Sequence, residues 1–334
     1  MSVGRALLLT AAFLGACETA QENEATSPFG LTAGWHLVYE GESGALVSAR
    51  GTLEGVTAVG GPLGNAPGAL SVQSNAEGGG WEATVDAAAP GSTWWAWGGA
   101  GDTEAVAVGE GGLVTDLETA LTPATLYGVW GASADDVWAV GGTPSGEGPD
   151  DVVLRRRDGQ WSAVDVPEPK GGALFKVWGS GADDVWMCGQ GGHVLHWDGA
   201  AFTWLRADPP VPLFTVAGHS DGSVYFVGGP PARLFVLDRA AARLDEVPLP
   251  GEASILNGVS VAPNGDLWVV GMGGVKWQRK PTDGGWIDHS REAPRVDLHA
   301  VLALDGAAVV VGGDFISPPS PGRGRRGVVG VFVE

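Results

Sequence analysis

The side chains that could do chemistry in this sequence are few. Two adjacent carboxylate pairs, Asp135-Asp136 and Asp183-Asp184, recur at the same place in two similar stretches. Such pairs can serve acid–base chemistry or hold calcium. Adjacent residues on a turn point in different directions, however, and a calcium loop needs several oxygen ligands at alternating positions. The equivalent stretches elsewhere read Ser220-Asp221-Gly222 and Asn264-Gly265-Asp266, so the expectation is turn formation through the Asx side chains. His193 and His196 lie three apart in a β-like run. That spacing puts them on opposite faces of a strand, where they cannot share a metal. His36, His219, His289 and His299 are isolated from one another and from cysteine. No metal and no other cofactor is expected.

Aromatic and basic residues supply the remaining candidates. Trp130, Trp138, Trp178, Trp186 and Trp268 fall at equivalent points of successive similar stretches, which suits packing between repeated units better than ligand stacking. Trp94, Trp95 and Trp97 crowd one short run, and Trp95 is the candidate for stacking on a ligand. Arg323, Arg325 and Arg326 follow Pro318, Pro319 and Pro321 and make a basic spot in an acidic chain. No nucleophile elbow or phosphate-binding loop stands out, since the glycine pairs close β-like runs. The expectation is binding rather than catalysis.

Composition points to the elements that must carry these residues. The 334 residues include 56 Gly, 22 Pro and 15 Trp, and only 17% are charged. Short strands, tight turns and large aromatic anchors follow from that mixture. With 39 acidic against 19 basic residues the formal charge is −20, which repels phosphate backbones and excludes nucleic acid as a partner. Cys188 lies deep in a repeat where the neighbouring copy has Val140, so it is expected to be a small buried apolar residue.

The N-terminus carries Arg5, then an apolar run over residues 6–13, then Leu14-Gly15-Ala16-Cys17. A charged start, a short apolar stretch and small residues before a cut describe a secretory signal, too short to span a bilayer. The ending resembles the lipobox of bacterial lipoproteins. That resemblance implies a signal peptide over residues 1–16, lipidation at Cys17 and a tether over residues 17–33. It also implies a location in the cell envelope, held by the lipid anchor alone, and Glu18 rather than Asp after the cysteine resembles the enterobacterial sorting signal for the outer membrane of a Gram-negative bacterium.

Internal repetition decides the fold. Residues 126–142 and 174–190 share a Val-Trp-Gly-x-x-x-Asp-Asp-Val-Trp pattern, and weaker copies occur around residues 213, 256, 298, 94 and 45. Aligned on Val47, Ala96, Val129, Val177, Val216, Val259 and Val301, seven copies are spaced 49, 33, 48, 39, 43 and 42 residues apart. A mean near 42 is that of a propeller blade of four short strands, A to D from the axis outward. In the third copy strand A is expected over 127–131, B over 137–141, C over 152–156 and D over 161–166. The second copy lacks room for a full outer strand. At the C-terminus a strand C over 327–334 is followed by no strand D, while residues 34–40 read as an unattached outer strand. The prediction is therefore an all-β fold, a seven-bladed β-propeller over residues 34–334 with four-stranded antiparallel blades. The N-terminal strand would complete the last blade and close the ring, abolishing open edges.

The Val-Trp-Gly-Ser-x-x-Asp-Asp-Val-Trp-Ala-Val-Gly pattern resembles repeats of bacterial propeller lipoproteins. More distantly it is similar to the sialidase and photosystem-assembly-factor propellers. The resemblance implies a fold more firmly than an activity. A sialidase-like site would need an arginine triad on inner strands and a Tyr-Glu pair, and only Tyr39, Tyr127 and Tyr225 are present. Swollen B–C loops over residues 60–69, 141–151 and 313–327 emerge on one face and mark it as the binding face. The function expected is a monomeric, tethered, non-catalytic interaction module for an envelope protein or glycan. A glycan-processing enzyme with a central-channel site and an envelope assembly factor are the alternatives.

Overall fold

The computed structural model describes residues 28–63, 68–74, 80–86, 93–98, 106–112, 114, 115, 117, 119–144, 150–168, 171–316 and 322–334. Cys17 and the signal segment lie outside the described residues.

Among the described residues, six four-stranded antiparallel sheets and one two-stranded sheet make the ring. The four-stranded blades span residues 45–86, 125–163, 174–206, 213–246, 256–288 and 298–333, the last borrowing its outer strand from residues 34–41. The expected count of seven four-stranded blades is thus corrected to six. Between the first two of them the described residues form only Trp94–Gly98 and Val106–Gly109, an A–B pair without strands C and D. This pair is wedged into the ring all the same, because the seams on its two sides are both apolar. Val59, Ala69, Trp94 and Ala107 fill one, and Ala96, Val106, Val108 and Leu126 belong to the other. The physical reason is the short repeat, which leaves too little chain for an outer hairpin.

Closure occurs as the orphan pieces require. Gly34–Gly41 pairs antiparallel with Gly327–Val333, from Gly34 opposite Val333 to Gly41 opposite Gly327. Upstream, Phe29 and Leu31 pack against the seam between the first and last blades. In the third copy the strands are Thr125–Ser133, Asp136–Gly142, Val152–Arg157 and Gln160–Ala163. Strands A and B run slightly longer than expected, since the A–B turn needs only Ala134 and Asp135.

The core lies in the seams. Every apolar cluster joins two neighbouring sheets, as where Trp138, Val140 and Val153 meet Leu174, Val185 and Met187. Each inner strand opens with an apolar residue turned into a seam. Leu46, Leu126, Leu174, Leu213, Leu256 and Leu298 are completely buried and Trp94 nearly so, each burial contributing roughly 2–3 kcal/mol. The next residue is a β-bulge in all seven inner strands. Val47, Trp95, Tyr127, Phe175, Phe214, Asn257 and His299 have no cross-strand partner. The bulges also reset the repeat alignment. By register Ala49 and Trp97 are the equivalents of Val129, where spacing alone selects Val47 and Ala96.

The glycine that closes each strand B belongs to the same device. A Cβ on Gly60, Gly109, Gly141, Gly189, Gly228, Gly271 or Gly312 would strike the carbonyl oxygen of the residue preceding that apolar opener. Only a bare backbone lets the two strands come so close beside the bulge. Gly189→Ala is therefore expected to destabilise the fold by about 2 kcal/mol or more. A chemical-denaturation midpoint equal to that of the parent would contradict this.

Candidate functional site

The seven bulged residues sit near the end of the ring where the inner strands begin and the B–C loops emerge. Four of them are aromatic and run round the axis as a chain of ring contacts. Trp95 meets Tyr127 edge-on at 5.1 Å, Tyr127 meets Phe175 at 5.5 Å, and Phe175 stacks on Phe214 at 5.7 Å. His299 comes within 6.1 Å of Trp95 on the other side. Phe315, from the B–C loop of the last blade, leans over both, at 4.2 Å from His299 and 5.8 Å from Trp95. Together with Pro144, Met272 and Ile316 from three B–C loops, these residues line an apolar cup of about 320 Å³. That is the lower end of the roughly 300–1,000 Å³ usual for ligand pockets.

Polar groups of the wall are mostly used internally. The Thr215 hydroxyl donates to the Asn257 carbonyl at 2.6 Å, and the Asn257 amide donates to the Leu298 carbonyl at 2.9 Å. Burial, and secondarily the charge of Lys176, push His299 down to about 3, so it is neutral at physiological pH. The indole N–H of Trp95 is buried and has no acceptor among the described residues.

Lys176 forms part of the floor. It follows the bulge on its strand, and the residues at that position in the other six inner strands are Ser48, Ala96, Gly128, Thr215, Gly258 and Ala300. Six small residues thus leave axial room that one lysine enters, and Lys176 lines both the cup and a narrower channel cavity of about 150 Å³ below it. Burial lowers its pKa to about 8, and the only opposing influence is the Cys188 thiol on the paired strand. That thiol is fully buried and pushed upward by burial, so it stays protonated, as a small apolar residue should. Lys276 shows the contrast. It is also lowered to about 8 by burial, but it donates to the carbonyls of Gly274, Glu292 and Pro294 at 2.8–3.2 Å and lies 5.2 Å from the Trp35 ring. Lys276 is a satisfied structural cation; no acceptor for Lys176 occurs among the described residues.

The carboxylates singled out by sequence are structural. Asx turns form at Asp221 and Asn264, which accept the backbone N–H two residues on at 2.8 and 2.9 Å. They do not form at Asp136 or Asp184, because each of these begins strand B and binds a side chain on strand C. Asp136 takes a bidentate pair from Arg155 at 2.7 Å, and the guanidinium lies 4.1 Å over Trp138. Asp184 accepts from His196 at 2.9 Å and from the Trp186 indole at 2.8 Å, with the imidazole stacked 3.8 Å from Trp186. Arg239 of the next blade adds a further pair at 2.9 and 3.2 Å. Asp266 repeats the plan with Gln278 and Lys280 at 3.0 and 2.8 Å. His193, on the same strand as His196, instead binds the Gly171 carbonyl at 2.6 Å. Among the described residues no cluster of His, Cys, Asp and Glu could hold a metal.

The three loop arginines do not make one presented surface. Arg325 donates to the carbonyls of Pro62, Asp314 and Phe315 and so holds Phe315 in place. Arg326 joins Asp314 to Glu40. Arg323 is largely exposed beside Glu42 at 3.2 Å. Of the binding candidates, only Trp95 lies in the cup. Sequence reading passed over Tyr127, Phe175, Phe214 and Lys176, although the two columns after each Leu of strand A display them.

A second cleft, of about 330 Å³, lies between residues 213–246 and 256–288 and is lined by residues of the A–B and C–D turns. Its Lys280 is paired with Asp266 and Glu334. It also holds part of the run Gly218-His219-Ser220-Asp221-Gly222, which spells a nucleophile motif that the sequence reading passed over. The run is a β-hairpin turn rather than a strand-to-helix elbow, and the Ser220 hydroxyl is 3.5 Å from His219, whose ring also reaches the Pro263 carbonyl at 3.2 Å. The other nitrogen of that ring is 3.3 Å from Asp221, and the turn lacks the strand-to-helix geometry that the motif requires.

No family model and no curated protein matches this chain. Solved structures match it by fold. The WD40 repeats of RRP9 are 12% identical with a TM-score of 0.67, covering 92% of this chain and 99% of theirs. YCF48 bound to D1 peptide is 12% identical with a TM-score of 0.60, covering 91% and 98%. A catalytically inactive virginiamycin B lyase from Staphylococcus aureus with quinupristin is 12% identical with a TM-score of 0.62, covering 90% and 100%. The chain is an all-β propeller distantly similar to these proteins.

Two outcomes follow from the charges. Burial raises the Asp184 pKa, but the hydrogen bonds from Arg239, Ser180, His196 and Trp186 outweigh it and hold the carboxyl well below its usual range. A depressed carboxyl stabilises the fold above the unfolded value near 3.8 and loses that contribution as pH falls through the folded value. Asp184→Asn is expected to cost on the order of 2 kcal/mol at pH 7, and the gap to the parent should close as denaturation is followed below pH 4. A pH-independent gap would be the contrary result. For Lys176 the sign is opposite, since a lowered lysine pKa costs stability below about 8 and the cost is relieved as pH rises toward 10.5. Lys176→Met is expected to stabilise the protein by on the order of 1–3 kcal/mol at pH 7, the advantage shrinking above pH 8. Destabilisation at pH 7 would show that the ammonium has a structural partner.

Proposed function

We propose that this protein is a non-catalytic interaction module that captures an apolar segment of a protein partner in the aromatic cup on its B–C loop face. One observation carries the reading: six of the seven bulged residues line a single apolar cavity, and four adjacent ones are large aromatic rings. Clustered aromatic side chains on a rigid frame are the usual anchors of recognition. Binding rather than turnover is supported by the lining itself, which offers a neutral histidine and spent hydroxyl and amide groups. The fold neighbours give further support, because a propeller of similar architecture has been solved with a peptide bound. Sequence supports attachment to the cell envelope through a lipid on Cys17. A tethered ring of this kind would suit an envelope assembly factor, which holds a client segment while the client matures.

The test is affinity capture from the native envelope with the parent and with Trp95→Ala and Phe175→Ala, quantified by mass spectrometry. Each substitution removes one anchor at the rim and should lower recovery of the specific partner about ten-fold or more. Equal recovery with all three proteins, each shown folded by circular dichroism, would refute the cup as the binding site.

A further inference from the structure

The cup contains a feature that an apolar segment alone does not explain. An ammonium in an apolar wall is costly unless something pairs with it, and each of the other buried or half-buried cations described above has a partner in the structure. Arg155 has Asp136, Arg325 has three carbonyls and Lys276 has three more. Lys176 has none among the described residues, and the two titratable groups that interact with it, Cys188 and His299, are neutral at physiological pH. Among the described residues no carboxylate lines the cup. The Trp95 indole N–H in the same wall is likewise a donor without an acceptor. A group that satisfies both must be an acceptor, and one that satisfies Lys176 fully must be an anion.

We infer that the cup recognises a carboxylate joined to an apolar body, and that Lys176 is the residue that reads the carboxylate while Trp95, Tyr127, Phe175 and Phe214 enclose the apolar part. This deepens the interaction reading above and rests on it. A carboxylate side chain following an apolar residue and the free end of a chain present the same group to the ammonium. Selectivity comes from Lys176 being one long cation in a ring of six small residues, so the charge stands at one side of the channel, directly below the bulged Phe175 of its own strand. A charge-assisted hydrogen bond formed away from bulk water contributes enough to set acid and neutral ligands apart by about ten-fold or more.

The experiment is calorimetric titration of the purified protein with three probes: N-acetylphenylalanine, its amide, and the amidated dipeptide in which a glutamate follows the acetylated phenylalanine. The parent should bind at least one of the two carboxylate probes about ten-fold or more tightly than the neutral amide, and which of the two binds better identifies the source of the carboxylate. In Lys176→Met, which keeps an unbranched side chain but not the charge, that preference should vanish while binding of the neutral amide persists. Phe175→Ala should weaken all three probes together. Equal binding of acid and amide by the parent, or a preference that survives in Lys176→Met, would overturn the role of Lys176 and leave the cup standing. No binding of any probe at millimolar concentration would overturn both.

Discussion

The β-bulge that follows the buried Leu or Trp at the start of every inner strand is the constraint on which the architecture of the cup depends. In a regular inner strand of a propeller, alternate side chains face the two neighbouring blades and none looks along the axis. The bulge breaks the alternation at one place and re-aims one residue per strand. The buried Leu before it locks the strand into its seam, and the glycine at the end of strand B lets the backbone in front of that Leu come close. Leucine, bulge and glycine are therefore one device in three parts. Repeated round the ring, it produces a collar whose chemistry is set by seven independent choices. Here those choices are Val47, Trp95, Tyr127, Phe175, Phe214, Asn257 and His299, which make one side of the collar aromatic.

Elsewhere the polar chemistry serves stability. Asp136 and Asp184 begin a strand B and Asp266 immediately precedes one; each binds a strand C partner and lies two residues before a buried tryptophan, which Arg155, His196 and His289 respectively cover. The plan converts exposed edges of adjacent strands into cross-strand locks, and through Arg239 it reaches from one blade to the next. Against that background Lys176 stands out as a charge with cost and no structural return. A charge held at a cost in stability, where Arg155, Arg325 and Lys276 are all paired, is what a binding function would look like.

Much of the fold was legible because its determinants are local. The Asp-Asp turns, the glycine-terminated strand B and the tryptophan columns recur at visible spacing, and the unattached strand at Trp35 paired with the strand that lacked a neighbour. The count of complete blades was not legible from the number of copies, since Trp94–Gly98 and Val106–Gly109 carry the inner-strand signature without an outer hairpin. The bulges also hid from alignment on apolar residues, because an extra residue shifts the register by one without altering composition. The site was missed for the same reason. Tyr127, Phe175 and Phe214 read as ordinary strand aromatics until the bulge turns them to the axis, and Lys176 looks unremarkable until its six small equivalents are placed beside it. Arg323, Arg325 and Arg326 read as a basic patch because sequence shows charge but not the carbonyls and carboxylates that already hold it.

The central claim is that the bulges bring these aromatic residues together round one cavity that receives a partner. Nuclear Overhauser spectroscopy on deuterated protein with protonated aromatic rings tests it most directly. The account predicts ring-to-ring cross-peaks from Trp95 to Tyr127, from Tyr127 to Phe175 and from Phe175 to Phe214, and it predicts that this set shifts together when a ligand enters. Rings that show cross-peaks only to residues within the blade seams, with no signal between neighbouring bulged positions, would contradict it.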